Sequence, residues 1–305
     1  MKYADWLDEW LENYVTPACK IRTRELYESI VNRRIKPYLG GYLLEELTPL
    51  VMQKFITRTL LCGNKKTGDA LSSNSVNGII SVMQNSLKAA NSVGLIKEYT
   101  ANKICRPKTV EKKVGCFTYV EQKAIEKAAF SSRKQKMLGV VICLYTGVRI
   151  GELLALKWQH IDFTTGQLNI AQSCYCGRQG RIESTPKTEN SKRSIPLPRK
   201  ILKILREMRA KSDSEYVISL LGKPVSTRSY QKSFELLLNK LHIPHRGFHA
   251  LRHTFATRAL ECGMDVKTLS EILGHKNSLV TLNRYAHSLT DHKRAMMNKL
   301  GKFLE

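Results

Sequence analysis

The chain has 305 residues, of which 42% are hydrophobic, and its formal net charge is +24. Such a length suffices for two ordinary domains, and the hydrophobic fraction is typical of a globular protein with a buried core. No stretch of about 18 uncharged apolar residues occurs, which excludes a membrane-spanning helix. The charge favours a polyanionic partner without saying which one. Of the 50 Lys and Arg residues, 35 follow residue 107, whereas only 16 of the 26 Asp and Glu residues do. Most of the positive charge therefore lies in the second part of the chain.

The eight cysteines are scattered along the chain and predict free thiols rather than disulfides. Cys174 and Cys176 form an isolated pair without a second thiolate pair at zinc-finger spacing, so no metal site is expected. Acidic residues interrupt the first apolar positions, so we predict no signal peptide. We therefore expect a cytoplasmic protein without a metal or cofactor.

The first hundred residues predict four helices. Residues 2–14 place five apolar and aromatic side chains on one helical face: Trp6, Leu7, Trp10, Leu11 and Tyr14. This helix should end at Thr16-Pro17, and a second, over about 23–36, should be stopped by Pro37 and Gly40-Gly41. Further helices are expected over about 49–60, capped by Thr48, and from residue 72 or 73 to about 94. These helices predict a small all-α domain over 1–105.

Residues 106–116 are basic and without periodicity, and we interpret them as an interdomain linker. Lys108, Lys112 and Lys113 are candidates for contacts with a DNA backbone. Thr118 and Glu121 have the spacing of a capping box, so a second domain is predicted over 117–305.

An apolar helix over 137–145 is followed by a break and a new helix that begins near Arg149. Glu152 comes three residues later. A charged residue beside so apolar a segment is either paired or faces a ligand. A purely structural pair of Arg149 and Glu152 therefore stays open beside a ligand-binding arginine.

A β-rich part extends over 167–197. GQLNIAQ indicates one strand, and 181–198 indicates a hairpin with its turn near 189–191. Lys187 precedes this turn, where it can enter a groove or protonate a leaving oxygen; the alternative is a solubilising edge lysine. Lys192 and Arg193 follow the turn as candidates for DNA-backbone contacts.

Helices are predicted again over 198–209 and 226–241, followed by the segment 245–285. His249 and Arg252 are three residues apart and can share a helical face. His275 ends a further helix, Tyr285 lies on a short one, and an amphipathic helix is expected over 291–300.

These residues together suit phosphoryl transfer on nucleic acid. Two guanidiniums can brace a pentacoordinate phosphate, Lys187 can protonate a leaving 5′ oxygen, and Tyr285 is the plausible covalent nucleophile. The imidazoles can accept the proton of the phenol. No carboxylate cluster and no ATP-binding loop occur, which favours a metal-free, cofactor-free reaction. The candidate catalytic set is Arg149, Lys187, His249, Arg252, His275 and Tyr285, with Glu152 in support.

The motifs resemble those of the tyrosine recombinases, the phage integrase family. TGVRIGELLALKW resembles the first arginine box, and PKTENSKRSIPL the catalytic β-hairpin, in which Lys187 fits the pattern better than Lys192. HALRHTFATRALECG resembles the His-x-x-Arg box, LSEILGHKN supplies His275, and Tyr285 follows ten residues later. The resemblance covers nearly the whole chain.

The resemblance implies a mainly α fold with a small antiparallel β-sheet or hairpin. An N-terminal four-helix core-binding, SAM-like domain would precede a larger α+β catalytic domain. It implies cleavage of double-stranded DNA at recombination sites through a 3′-phosphotyrosyl link and a Holliday junction, for integration or excision of a mobile element. Four protomers, monomeric without DNA, would assemble on the sites, with accessory excision or host architectural proteins as possible partners. The C-terminal helix would dock on a neighbouring protomer.

Three other functions would explain part of the sequence. A helix-turn-helix regulator would use 265–285 and explain the charge, but it gives Arg149, Lys187 and Tyr285 no role. A type IB topoisomerase-like enzyme would use the same chemistry without strand exchange, and a structural chromatin protein would use only the charge.

Overall fold

The computed structural model describes residues 1–64, 67–109, 115–132, 134–178, 180–184, 192–275, 277, 279, 297–298, 300–301 and 303–304. The chain divides into two compact units, Met1–Lys112 and Lys113–Glu305. The boundary falls within the predicted linker. The predicted domain limits, 1–105 and 117–305, stay predictions.

The N-terminal unit is helical. Its α-helices are α1 (Tyr3–Trp10), α2 (Thr16–Ala18), α3 (Ile21–Ile30), α4 (Lys36–Leu39), α5 (Pro49–Cys62) and α6 (Ser73–Ser92), with π-helical turns over Leu11–Val15 and Val31–Ile35 and 3₁₀ turns over Leu44–Glu46 and Ala101–Lys103. Contrary to the prediction, Pro17 and Pro37 do not end the first two helices, whereas the predicted stop at Gly40-Gly41 agrees with a helix that ends at Leu39. Each proline lies in the first turn of a short helix that follows a π turn, and a widened turn accommodates the missing proline N–H.

The predicted face of the first helix is observed for four of its five residues. Trp6, Leu7, Trp10 and Leu11 are buried, whereas Tyr14 is 39% exposed, with its ring centroid 5.8 Å from that of Trp6. Two side chains of α1 also form hydrogen bonds with Ser86 of α6. Tyr3 shares a buried hydrogen bond of 2.7 Å with Ser86 Oγ, and Trp6 Nε1 donates to the Ser86 carbonyl at 2.9 Å.

Helix starts follow local chemistry in both units. Thr48 Oγ1 accepts from Val51 N at 3.3 Å, and Ser72 Oγ accepts from Ser75 N at 3.3 Å. The predicted capping box is also present, since Thr118 N donates to Glu121 Oε2 at 2.7 Å. These caps satisfy backbone donors that have no partner within the helix.

The C-terminal unit contains seven described α-helices and seven short strands. The helices are α7 (Tyr119–Phe130), α8 (Leu138–Thr146), α9 (Ile150–Leu154), α10 (Arg199–Ala210), α11 (Thr227–Lys240), α12 (Ala250–Glu261) and α13 (Val266–Leu273). The strands are β1 (Ile161–Asp162), β2 (Gln167–Ile170), β3 (Ser173–Gly177), β4 (Gly180–Ser184), β5 (Arg193–Pro196), β6 (Ser219–Leu220) and β7 (Lys223–Pro224). Short 3₁₀ turns lie at Gln135–Met137 and Trp158–His160.

The two ends of the predicted hairpin over 181–198 pair with other strands, and its predicted turn near 189–191 lies outside the described residues. The order β1-β2-β5 forms one antiparallel sheet, while β3 and β4 form a separate hairpin. In the described part of the chain, the strands on the two sides of 185–191 therefore belong to different sheets. The reason is burial: Leu168 and Ile195 lie opposite each other in β2 and β5, and both enter the core.

The core of this unit is built around α8, whose residues are nearly all buried. Helix α12 packs against α8, and α13 packs against α12 through a small cluster. That cluster contains Ala256, Leu260, Leu269 and Leu273. The packing brings the C-terminal ends of α8 and α13 close to one side chain of α12. No helix in the described ranges is both long and apolar enough to cross a bilayer.

Candidate active site

Arg149 and Glu152 form the first part of the site, at the beginning of α9. The backbone N of Arg149 donates to Glu152 Oε2 at 2.8 Å, and its Nη1 donates to Oε1 at 2.8 Å. One carboxylate therefore orients both the backbone and the guanidinium of Arg149. Glu152 is only 5% exposed, whereas 37% of the Arg149 side chain is accessible. The structural pair that the sequence left open is present, and it leaves Arg149 able to reach a ligand.

A second guanidinium binds the same carboxylate. Arg193, the first residue of β5, donates through Nη1 to Glu152 Oε1 at 3.1 Å and through Nη2 to Oε2 at 2.8 Å. Its side chain is 6% exposed. The sequence suggested Arg193 as a DNA-backbone contact, but the structure directs its guanidinium to Glu152 and to the Ile272 carbonyl inside the protein. A buried carboxylate needs such pairing because desolvation of a lone charge is expensive.

The two arginines determine the ionisation of Glu152. Burial by itself raises the pKa of this carboxyl group. The hydrogen bonds and charge of Arg193, followed by the charge and backbone N–H of Arg149, outweigh burial and hold the pKa at about 2. Glu152 is therefore ionised throughout the neutral range.

Arg252 joins two helix ends. Its side chain is buried, with 2% exposure. Nη1 donates to the carbonyl of Gly147, just after α8, at 2.8 Å, and Nη2 donates to the carbonyl of Leu273, at the end of α13, at 2.7 Å. Gly147 has a φ of 64°, the left-handed conformation that suits glycine at a helix end.

Three arginines from separate motifs meet at the C-terminal end of α13. The carbonyls of three consecutive residues accept one bond each: Ile272 from Arg193 Nε at 2.5 Å, Leu273 from Arg252 Nη2 at 2.7 Å, and Gly274 from Arg149 Nη2 at 3.3 Å. Helix C-termini carry partial negative charge and unpaired carbonyls, which favours cations there. This end of α13 is the point at which the distant motifs come together.

His275 follows this end directly. Its backbone N donates to the carbonyl of Ser270 at 3.0 Å, and Gly274 N donates to the carbonyl of Glu271 at 3.0 Å. This bonding pattern, with Gly274 at a φ of 64°, is a Schellman motif. At the other end of the helix, Asp265 Oδ1 accepts from Thr268 N at 2.9 Å. The backbone position of His275 is thus set by a short helix that is capped at both ends.

His249 lies at the beginning of α12, one turn before Arg252. It is exposed, whereas Arg252 points into the interior, so their three-residue spacing does not give them the same environment. The ring of His249 contacts that of His253 edge to face, with 4.6 Å between centroids.

The remaining candidates are divided between exposed positions and positions that cannot be described. Lys108 and Lys192 are exposed, and Lys192 immediately precedes β5. Four predicted residues lie outside the described ranges: Lys112, Lys113, Lys187 and Tyr285. The predicted helix around Tyr285 lies there too, as does most of 291–300. The roles of all site residues stay predictions.

Arg181 is a further structural arginine of this unit that the sequence did not indicate. Its Nη2 donates at 2.7 Å to the carbonyl of Leu154, the last residue of α9, and its Nη1 donates at 3.0 Å to the carbonyl of Val225. Arg181 thus holds β4 to the end of α9, as Arg193 holds β5 to its first turn. Backbone carbonyl partners leave no mark in a sequence pattern, which is why Arg181 was missed, and the Glu152 partner of Arg193 is 41 residues away in sequence.

Two family models match the chain. A family model described as "Phage integrase family" matches residues 120–292, more than half of the chain. A second, "Phage integrase, N-terminal SAM-like domain", matches residues 2–60.

The chain belongs to the phage integrase family.

Proteins similar in sequence agree with this family assignment. The tyrosine recombinase XerC-like protein of Caldanaerobacter subterraneus subsp. tengcongensis is 30% identical over 97% of this chain and 82% of that protein. The ICEBs1 integrase of Bacillus subtilis is 22% identical over 94% of this chain and 80% of its own. The transposase of transposon Tn916 from Enterococcus faecalis is 29% identical, over 53% of this chain and 45% of its own.

Solved structures show the same fold. An integrase of transposon Tn1549, in complex with a circular intermediate DNA, has a TM-score of 0.83 at 20% identity and covers 98% of the recombinase and 99% of its own chain. A lambda integrase tetramer bound to a Holliday junction has a TM-score of 0.70 at 22% identity, over 91% and 78%. The predicted family, fold class and enzyme class are confirmed: this is a tyrosine-type site-specific recombinase of the integrase kind found in mobile elements. A plain regulator or a topoisomerase is not favoured.

Proposed function

We propose that this recombinase cuts and rejoins double-stranded DNA at specific sites through a covalent 3′-phosphotyrosyl link to Tyr285, in the integration or excision of a mobile element. The observation that supports the proposal is the meeting of Arg149 and Arg252 at one helix end. They bond to the adjacent carbonyls of Gly274 and Leu273, immediately before His275. Motifs far apart in the chain thereby supply cations and an imidazole to one place.

The two arginines are proposed to bind the scissile phosphate. Planar guanidiniums match phosphate oxygens and stabilise the extra negative charge of a pentacoordinate transition state. Arg149 suits this task because Glu152 fixes its orientation while part of its side chain stays accessible. Such preorganisation avoids reorganisation at the moment of reaction.

The proposed reaction exchanges one phosphoester for another. The phenolic oxygen of Tyr285 bonds to phosphorus, the bond from phosphorus to the 5′ oxygen breaks, and Lys187 donates the proton that completes the leaving 5′ hydroxyl. His249 and His275 accept the phenol proton or hydrogen-bond the phosphate. Attack by a 5′ hydroxyl from another strand reverses these steps, so that no external energy source is needed.

The proposed assembly is a tetramer of protomers, monomeric without DNA, on two recombination sites. It is supported by the similar fold of a lambda integrase tetramer bound to a Holliday junction. We also propose that Lys108, Lys112, Lys113 and Lys192 contact DNA backbone. Accessory excision or host architectural proteins, and action at the nucleoid in the cytoplasm, belong to the same proposal.

A nicked suicide substrate tests the nucleophile. On such DNA the cleaved strand loses a short fragment, so the covalent protein–DNA adduct accumulates and is counted on a denaturing gel. The wild type should form the adduct and Tyr285→Phe should not. Tyr119→Phe is the matched control, because it removes the same hydroxyl group from an exposed tyrosine of α7. Equal labelling of wild type and Tyr285→Phe would contradict the proposal. Products from two-site DNA then distinguish recombination from relaxation.

A further inference from the structure

Arg193 lies where three segments of the catalytic unit meet. It begins β5, its guanidinium binds Glu152 in the first turn of α9, and its Nε bonds to Ile272 at the end of α13. We propose that Arg193 is a positioning residue for strand cleavage, which acts through Glu152 and the end of α13 on Arg149. The inference rests on the proposed function.

The bonding geometry couples Arg193 to Arg149 directly. Glu152 Oε1 accepts from Arg149 Nη1 at 2.8 Å and from Arg193 Nη1 at 3.1 Å. Oε2 accepts from the backbone N of Arg149 at 2.8 Å and from Arg193 Nη2 at 2.8 Å. Each carboxylate oxygen is thus shared by the two arginines, so the position of the carboxylate depends on both.

Packing provides a second connection. Arg193 lies against Gly274, where an added methyl group would meet Arg193 Cδ and Nη1 at 3.1 Å. The carbonyl of this same glycine accepts the bond from Arg149 Nη2. Arg193 therefore contacts both groups that hold the Arg149 guanidinium, namely the Glu152 carboxylate and the Gly274 peptide.

The bonds of the guanidinium distinguish this role from direct catalysis. All three nitrogens of Arg193 donate to acceptors of the protein, Nε to the Ile272 carbonyl and Nη1 and Nη2 to Glu152, whereas the Arg149 side chain is 37% exposed. If Arg193 loses its charge, burial raises the pKa of Glu152, because the contacts of Arg193 are the first of those that lower it. A protonated Glu152 holds Arg149 less firmly, and a misplacement of about 1 Å costs about 100-fold in rate.

Single-turnover cleavage of the suicide substrate, at saturating full-length protein, tests the proposal with Arg193→Met. The cleavage rate should fall about 10- to 100-fold, while the dissociation constant for DNA changes by less than about threefold. Arg206→Met is the matched control, because Arg206 is exposed and donates to one backbone carbonyl, that of Phe163, at 2.7 Å. The control should cleave at the wild-type rate.

The pH dependence distinguishes positioning from a merely structural role. With Glu152 at a pKa of about 2, the wild-type rate should show no acid limb from Glu152 above pH 5. In Arg193→Met the rate should increase with pH as Glu152 ionises. Arg193→Lys, which keeps the charge, should restore the wild-type profile and part of the rate. In a Glu152→Gln background, Arg193→Met should lower the cleavage rate by a smaller factor than in the wild-type background.

Three results would contradict a positioning role for Arg193. An unchanged rate, an unchanged pH profile in both Arg193 variants, or additive effects with Glu152→Gln would overturn the inference. If Arg193→Met does not fold, Arg193→Lys carries the test: a wild-type rate in Glu152→Gln but not in Arg193→Lys would refute action through Glu152. Failure of the wild type itself to form an adduct would instead defeat the proposed function.

Discussion

Gly274 and Gly263 provide a matched pair for testing how tightly the arginine site is packed. Both glycines end a helix in a Schellman motif, after α13 and α12, with φ values of 64° and 89°. A methyl group on Gly263 would meet nothing within 4 Å, whereas one on Gly274 would lie 3.1 Å from Arg193 Cδ and Nη1. Replacement by alanine therefore changes the backbone preference at both positions but displaces Arg193 only at Gly274.

The expected stability losses follow from this difference. An L residue in the left-handed region costs about 1–2 kcal/mol, so Gly263→Ala should lose this amount. Gly274→Ala should lose the same amount and up to about 3 kcal/mol more, the value of a hydrogen bond to a charged group. The excess arises if the Arg193 guanidinium shifts away from Glu152 or Ile272.

Urea unfolding followed by circular dichroism measures the shift of midpoint for each variant, and the suicide substrate measures the cleavage rate. Gly274→Ala should be the less stable variant and should cleave about 10-fold or more slowly, whereas Gly263→Ala should cleave at nearly the wild-type rate. Equal losses of stability with unchanged cleavage in both variants would refute the packing of Arg193 on Gly274.

Four other predictions concern the charge of the site and of the chain. Glu152 has a pKa of about 2 in the folded protein, against a normal value of 4.5. This difference corresponds to a contribution on the order of 3 kcal/mol to the free energy of unfolding. The contribution is present above about pH 4.5 and is lost as the pH falls towards 2. The stability difference between wild type and Glu152→Gln, from urea midpoints at pH 3 to 7, should shrink as the solution is acidified, and a constant difference would contradict this assignment. Arg252→Lys should lower the cleavage rate about 100-fold with DNA binding still measurable, because lysine lacks the two-pronged guanidinium that reaches both Gly147 and Leu273. Cleavage at the wild-type rate would contradict a role of Arg252 in phosphate binding. DNA affinity, measured by fluorescence anisotropy, should fall steeply with salt, as counterion release requires, and a flat response would mean that the charge of +24 serves another purpose. Cleavage should persist in EDTA, and a strict requirement for a divalent cation would refute the metal-free mechanism.

Local structure in this protein was predictable from the sequence because its causes lie within a few residues. The hydroxyls of Thr48, Ser72 and Thr118 cap helices through bonds to residues only three positions away. The order of the motifs was equally informative, and it predicted the family and the fold class that the comparisons confirmed. The pairing of Arg149 with Glu152 also belongs here, since it needs one turn of chain.

Long-range contacts were decided only by the tertiary structure. Strand β5 pairs with β2 rather than with β4 because Ile195 and Leu168 enter one core, a choice that alternating residues do not encode. Arg193 looked like an exposed cation beside a turn, yet it is buried on Glu152, 41 residues away in sequence. Arg252 is held by peptide carbonyls, which every residue has. A sequence shows which side chains are available, whereas packing determines which distant carbonyls and carboxylates they bind.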